Sequence, residues 1–285
     1  MYDIRIQDTC VQCGACVAVC PARVFVGNGM VAAARPAGCI LCGHCVAVCP
    51  VDAVLHHGFD GEEFPPISDA ARLDADALTS LLRARRSVRE FKDQPIPRPV
   101  LEKLLHIARY APTASNAQDV RFIVITDANK RRALSQRIVK WMLLAGKLAR
   151  IPGILPLAAR SWGRERLQGY LGSLDGFADA AARGDDPIFY KSPALILTHG
   201  HKGNFFGVEN SSYANYQLVL AAHAMGLGTC MIGFLTLLAR YDPVLRRLAG
   251  IPKGHRIATA LVVGYPIYRY RRLVPRREPK ARWLE

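Results

Sequence analysis

Two periods of hydrophobic spacing divide most of this chain into helices and strands. Leu78, Leu81 and Leu82 fall on one face of a helix that begins near Asp76. Pro95, Pro97 and Pro99 interrupt the pattern, and Val100–Ala111 resumes it with Pro99 near its first turn. Asn129–Arg150 reads as a long basic helix. Ile151–Pro156 is broken by Pro152, Gly153 and Pro156, and Arg164–Arg183 reads as a further helix. Glu209–Met225 is apolar enough for a buried helix. Leu235–Gly250 reads as one more helix, ending at Gly250-Ile251-Pro252. Strand patterns are fewer: RFIVIT at Arg121–Thr126, ALILTH at Ala194–His199, a short run at Cys230–Phe234, and IATALVVG at Ile257–Gly264. Helices outnumber strands, and the strands lie far apart in sequence. An α+β fold in layers with long helices is the expectation.

One apolar stretch mimics a membrane span. Asn210–Ala239 contains no Asp, Glu, Lys or Arg. It does contain Asn215, Gln217 and His223, and Met225–Gly228 (MGLG) breaks it. A spanning helix needs about 20 uninterrupted, mostly apolar residues. A buried helix, a turn and a buried strand fit better.

The first fifty residues follow neither period. Cys10, Cys13, Cys16 and Cys20 precede Pro21, and Cys39, Cys42, Cys45 and Cys49 precede Pro50. Each run reads C-x2-C-x2-C-x3-C-P, and the second repeats the first from Cys10 to Cys39, 29 positions on. This is the bacterial ferredoxin pattern for two [4Fe-4S] clusters, in which soft thiolates bind iron. In two-cluster ferredoxins the fourth cysteine of each run ligates the other cluster. The expected ligand sets are therefore Cys10, Cys13, Cys16 and Cys49 for one cluster, and Cys39, Cys42, Cys45 and Cys20 for the second. Gly14 and Gly43 supply the tight turns. His44, inside the second run, reads as a neighbour that tunes the cluster. Zinc held by C-x2-C pairs is the competing reading, but it needs no Cys-Pro ending.

Composition adds compartment and charge. The chain has 285 residues, 51% of them hydrophobic, which is enough for one large unit and a small one. Residues 1–58 form the cysteine unit, 59–75 an acidic, Pro- and Gly-containing linker, and 76–285 the second unit. Eight of the nine cysteines lie in the two runs. With no signal-like N-terminus the chain reads as cytoplasmic, in a reducing compartment. The formal charge of +15 suits an acidic electron carrier or anionic cofactors. No basic stripe with interleaved aromatics points to nucleic acid. The ninth cysteine, Cys230, reads as a small core residue.

Four further motifs carry a resemblance. RARRSVREF at Arg83–Phe91, APTASNAQ at Ala111–Gln118, GLGTCMIG at Gly226–Gly233 and VGYPIYRYRRLVPR at Val263–Arg276 stand in the order of the signature segments of the nitroreductase family of FMN enzymes. The second unit resembles that family over about residues 76–280, and a ferredoxin module fused to a nitroreductase module is a subgroup of it. The resemblance implies a nitroreductase-like α/β/α layer that binds FMN, behind the two-cluster ferredoxin-like unit. Arg85, Arg86, Ser87 and Arg276 would hold the FMN phosphate, which wants guanidinium forks and hydroxyl donors. Arg89 would lie near the pyrimidine edge, where a cation stabilises a ring gaining negative charge. Pro112, Thr113, Ser115, Asn116 and Gln118 would contact the isoalloxazine, partly across a dimer interface. Ile232 and Gly233 would offer it backbone groups. Asp119 and Val120 follow Gln118 where many relatives carry Pro or Trp. The apolar, basic insert from about Lys140 to Tyr190 reads as a lid or interface, with membrane-surface binding as its variant.

The expected protein is an iron–sulfur flavoprotein oxidoreductase that works as a homodimer. Electrons from an acidic low-potential donor, a ferredoxin or flavodoxin, would pass through the clusters to FMN and on to a small planar acceptor. Nitroaromatics, quinones and activated double bonds fit. No catalytic side chain is required, because the cofactor carries the chemistry. Two alternatives stand beside it: NAD(P)H reduces the flavin and the clusters export electrons, or the chain transfers or senses electrons without turnover.

Overall fold

The structure is a computed structural model that describes residues 2–27, 31–33, 35–68, 73–149, 172 and 176–284. Two units emerge: Met1–Leu73 with Thr113–Ala117, and Asp74–Pro112 with Gln118–Glu285.

The first unit writes the sequence repeat into the backbone. Strand β1 (Ile4–Ile6), helix α1 (Ala15–Val19) and strands β2 (Phe25–Gly27) and β3 (Val31–Ala33) are followed by α2 (His44–Ala47) and β4 (Val54–His56). β1 pairs with β4 and β2 with β3, both antiparallel. Such short elements cannot bury much: Ile4, Val24, Phe25, Val31 and Val54 share a small core with Cys16 and Cys45. The unit continues past residue 58. A 3-10 turn spans His57–Phe59, and the ring of Phe59 meets that of Phe64 edge-on at 5.3 Å. The acidic stretch read as linker thus begins as part of this unit.

The second unit is built on a four-stranded antiparallel sheet. β5 (Arg121–Ile125), β6 (Ala194–His201), β7 (Gly228–Met231) and β8 (His255–Gly264) lie in the order β5-β6-β8-β7. Leu195 and Leu197 enter one core cluster with Ala260 and Val262, while Ala194 and Ile196 enter another with Leu261 and Val263. Both faces of the sheet are therefore covered. Their burial explains why ALIL and ALVV are continuously apolar rather than alternating. Helices α4 (Arg98–Ala108) and α6 (Gly207–Ala224) supply Leu101, Leu104, Leu218 and Ala222 to one layer. Helices α5 (Ala128–Ala149), α7 (Gly233–Leu238) and α8 (Pro243–Leu248) supply Leu134, Ile138, Leu235 and Leu245 to the other. The expected α/β/α layering is what forms.

Three elements differ from the sequence reading. The single helix expected at Leu235–Gly250 is two, α7 and α8. Asp242, with Pro243 after it, starts a new helix: its carboxylate accepts the backbone N–H groups of Val244 (2.8 Å) and Leu245 (3.2 Å). The strand expected to reach Phe234 stops at Met231, because Gly233 already opens α7. Helix α3 (Ala75–Ala84) forms, capped by Asp74 onto the Ala77 N–H, yet none of its residues is buried. About half of the insert read as a lid or interface, including 150–171, lies outside the described residues, as does much of the helix expected at Arg164–Arg183; 176–182 is helical. Among the described residues no helix is long and apolar enough to cross a membrane.

Asp242 does more than cap. It is 1% exposed and also accepts the Nε–H of Arg137 and the Nε1–H of Trp141, each at 2.6 Å, tying α5 to α8. Burial pushes its carboxyl up, but those four hydrogen bonds outweigh it and hold the pKa well below the usual carboxylate range. A depressed carboxylate stabilises the fold fully above its unfolded value, about 4, and the contribution is lost as pH falls through the folded value. Asp242→Ala should destabilise the protein by roughly 2 kcal/mol at neutral pH, because it strands two half-buried donors and a helix start. Urea titration followed by circular dichroism checks this, and the gap from wild type should shrink in strong acid.

Candidate functional site

In the first unit, backbone strain shapes two thiol sets. Gln12, Gly14 and Arg23 adopt φ of 58, 72 and 50°, and Leu41, Gly43 and Asp52, each 29 positions on, adopt 53, 73 and 50°. Left-handed backbone is costly for the non-glycine members, so its duplication marks a tightly specified curl. Gly14 and Gly43 sit at the N-caps of α1 and α2, so each run turns into a helix just before its third cysteine. The result is two small cavities. Cys10, Cys13, Cys16 and Cys49 line one, and Cys39, Cys42, Cys45 and Cys20 line the other.

Backbone donors point at the sulfurs. The N–H of Val24 reaches Cys20 Sγ at 3.3 Å, and that of Ala53 reaches Cys49 Sγ at 3.2 Å, again 29 positions apart. The N–H of Leu41 reaches Cys39 Sγ at 3.4 Å. Donors of this kind favour thiolates. Burial pushes the Cys16 thiol up and the Cys45 thiol up to about 11, a bias that bound iron reverses. Each cavity is lined by four cysteines. A cluster ligated at four corners fits that arrangement. His44 is exposed. His56, which the sequence reading passed over, lies against Cys39.

In the second unit a cleft of about 690 Å³ forms where the Arg85–Phe91 segment runs beside β7 and the C-terminal segment. The Val88 N–H donates to the Thr229 carbonyl (2.9 Å), Lys92 N–H to Tyr265 (2.8 Å), and Ile267 N–H to Glu90 (3.0 Å). The glycines at this junction are needed for close approach. A Cβ on Gly228 would meet Val88 at 2.7 Å, and one on Gly264 would meet Phe91 and Pro193 at 2.6 Å. Arg85, Arg86, His223 and Tyr265–Tyr270 line the cleft.

Its electrostatics call for an anion. Arg86 Nη1 donates to the carbonyls of Arg83 and Arg85. Arg85 Nε, Arg86 Nε and Arg86 Nη2 are buried without a partner. Buried donors are normally satisfied, so this set fits a multi-oxygen anion such as a phosphate. Burial, with Arg85 and Arg86 nearby, pushes the His223 pKa down and keeps it from adding charge.

Behind the cleft lies Cys230, whose buried thiol is pushed up by burial despite Arg89, Ser87 and Arg85 nearby. Arg89 lies over the ring of Tyr190, its guanidinium carbon 5.9 Å from the centroid. Tyr190, in left-handed backbone (φ 58°), had no sequence signal, lying outside every motif. The other expected residues are dispersed. Ser115, Asn116 and Gln118 all have positive φ (52, 53 and 46°), a kinked loop at the end of the second motif. Asn116 Nδ2 donates to the carbonyls of Ile40 (3.0 Å) and Leu41 (2.6 Å), within the first unit, where Thr113 also belongs. Pro112 is exposed. Asp119 accepts the side-chain amides of Asn204 and Asn210, which pins the far side of the loop. The Ile232 N–H donates to Ala260 (2.8 Å), whereas a Cβ on Gly233 would meet nothing within 4 Å. Arg276 is exposed and does not line the cleft.

A sheet covered by helices on both faces, an anion-seeking cleft at its edge and two cluster-type thiol sets define a flavin-dependent iron–sulfur oxidoreductase. Comparison with known proteins bears this out. The family model for the nitroreductase family matches residues 82–265, and that for a 4Fe-4S dicluster domain matches residues 2–50. This chain belongs to the nitroreductase family. It is 26% identical over 204 residues to a chloronitrobenzene nitroreductase of Comamonas testosteroni, covering 66% of this chain and 86% of the relative. It is 28% identical over 196 residues to an NADH dehydrogenase of Thermus thermophilus, covering 67% and 87%. A nitroreductase with bound FMN from Bacteroides fragilis shares the fold at a TM-score of 0.52 and 20% identity, over 72% of this chain and 95% of that one. Iodotyrosine deiodinase, solved with FMN and 3-iodo-L-tyrosine, also does so at 0.52 and 23%, over 73% and 99%. The cofactors are FMN and two [4Fe-4S] clusters.

Arg86→Gln should weaken FMN binding by roughly ten- to a hundred-fold, the worth of one charge-assisted hydrogen bond. Riboflavin, which lacks the phosphate, should bind wild type and variant alike. Flavin-fluorescence titration of the apoprotein reads both.

Proposed function

We propose that this protein takes single electrons from an acidic low-potential carrier, a ferredoxin or flavodoxin, and uses them in pairs to reduce a small planar acceptor. The clusters supply one-electron carriage, and FMN supplies the exchange between one- and two-electron chemistry. The observation that carries the reading is the pair of four-thiol sets in the same chain as a nitroreductase fold. A flavin that passed both electrons of a soluble two-electron donor straight to its acceptor would have no use for them.

The chain's own residues bind, orient and tune. Cys10, Cys13, Cys16 and Cys49 hold one cluster, and Cys39, Cys42, Cys45 and Cys20 the other. Arg85 and Arg86 clamp the FMN phosphate. Arg89, held by Tyr190, sets a positive charge toward the ring. The formal charge of +15 attracts an acidic carrier at distances comparable to the Debye length. No side chain is assigned a nucleophilic or acid–base role. Nitro compounds fit as acceptors, as the names of the Comamonas relative and of a 4-nitrobenzoate reductase from Nocardioides suggest. Quinones and activated double bonds have the same flat, electron-poor character.

The working form we infer is a cytoplasmic homodimer. Phe205 is 85% exposed, and Phe206, Tyr213 and Tyr216 are also exposed at or along the start of α6, which suits self-association. A second direction of flow has support of its own: the Thermus relative is named an NADH dehydrogenase, so NAD(P)H at the flavin with electrons leaving through the clusters is the competing order. Anaerobic stopped-flow separates the two. Reduced ferredoxin should bleach the flavin band quickly and with a steep salt dependence, and NADPH should do so slowly. Fast bleaching by NADPH with slow bleaching by ferredoxin would reverse the order.

A further inference from the structure

The internal repeat contains its own control. Residues 10–27 and 39–56 superpose in sequence, in left-handed positions and in the backbone donors to Cys20 and Cys49. They differ at several positions between and after the shared cysteines, and at the last of these His56 stands where the first half has Gly27, 29 positions earlier.

His56 faces a cysteine of its own half. Its Nε2 lies 3.2 Å from Cys39 Sγ, and the ring is buried at 7% exposure. The tautomer is fixed from the other side. The backbone N–H of Gly58 donates to His56 Nδ1 at 3.1 Å. A nitrogen that accepts carries no proton, so the proton of the neutral ring sits on Nε2 and points at the sulfur. Packing holds the ring there: Phe59 and Tyr2 lie at centroid distances of 4.8 and 5.8 Å. A Cβ on Gly58 would meet His56 Cε1 at 2.8 Å and Leu41 Cδ2 at 2.5 Å, so only glycine keeps this arrangement. Cys39 Sγ thus receives two donors, His56 and the Leu41 N–H. At the matching position of the other half, Gly27 has no side chain to offer.

We propose that His56 is a positioning donor that raises the reduction potential of the cluster held by Cys39, Cys42, Cys45 and Cys20 above that of its twin. The inference rests on the cluster assignment made above. A hydrogen bond to a cluster thiolate stabilises the negative charge added on reduction, and cluster potentials depend on hydrogen bonds to the sulfurs. Two sites with the same cysteine spacing and the same left-handed turns are thereby made unequal. An electron entering at the twin runs downhill to the His56 site and collects there, which gives the pair a direction.

The test is potentiometric titration of the anaerobically prepared full chain, followed by electron paramagnetic resonance, with iron and sulfide counted in each preparation. Wild type should contain about eight irons per chain and titrate at two distinct potentials. His56→Phe keeps an aromatic ring but removes the donor: the higher potential should fall toward the lower, which stays put, at unchanged iron content. His56→Gln, whose amide N–H can stand in for Nε2–H, should restore most of the gap. Unchanged potentials in His56→Phe, or a fall in the lower one alone, overturn the proposal. Should His56→Phe lose iron, Gly58→Ala, which displaces the ring, is read in its place with the same two outcomes. Iron lost from all three variants marks His56 as structural and overturns the proposal too. Wild type lacking about eight irons would instead sink the cluster assignment itself, a failure visible before any variant is made.

Discussion

Guanidinium groups held away from water need an acceptor, and that requirement organises the second unit. Arg85 and Arg86 keep three nitrogens buried without a protein partner. A buried donor left unpaired costs about 1–3 kcal/mol, more when it is charged, so a phosphate bound there returns that energy as affinity. The surroundings are fitted to the same end. Gly228 and Gly264 let the arginine-bearing segment lie flush on the sheet edge, and the hydrogen bonds of Val88, Lys92 and Ile267 fix it there. The first unit obeys the same logic with different chemistry. Backbone N–H groups aimed at sulfur and strained turns around paired cavities gain most when iron is bound, because so small a core stabilises little alone.

The legible parts of the sequence were those where chemistry is local. Cysteine spacing revealed the thiol sets, since ligand spacing and tight turns are encoded within twelve residues. The continuous apolar runs of β6 and β8 revealed the sheet, because burial on both faces removes polar positions altogether. Arg85 and Arg86 were singled out through the family resemblance of RARRSVREF, since clustered arginine at a helix end is by itself most often a solvated patch. What failed was long-range. One helix was expected at Leu235–Gly250 because its apolar period runs unbroken in sequence. The break is made by Asp242, whose capping role is strengthened by Arg137 and Trp141, about a hundred residues away. Tyr190 and His56 were invisible for the same reason: each matters only through a partner that folding brings to it.

Asn116 illustrates a different limit. Its motif suggests a flavin contact, and motif resemblance carries no information about competing acceptors. In the single chain its amide is taken up by two carbonyls between Cys39 and Cys42. Asn116, with Ser115 and Gln118, has positive φ, and the three keep the loop kinked. Ile232 makes the complementary point, since its N–H is already committed to Ala260. A backbone group is available to a ligand only if the sheet has not used it first.

A duplicated scaffold offers a clean way to make two cofactors differ. Had the halves diverged throughout, a difference in potential would have many causes. Here the turns, the caps and one backbone donor per half are matched, and the asymmetry at the sulfurs gathers on Cys39, which meets the Leu41 N–H and the one side-chain donor, His56, whose tautomer the following turn fixes. Directed flow between equal sites needs only a small energetic step: about 1.4 kcal/mol already gives a tenfold preference. A single neutral hydrogen bond is of that order. One imidazole, with a glycine to hold its orientation, is enough to turn a symmetric pair of sites into an ordered one.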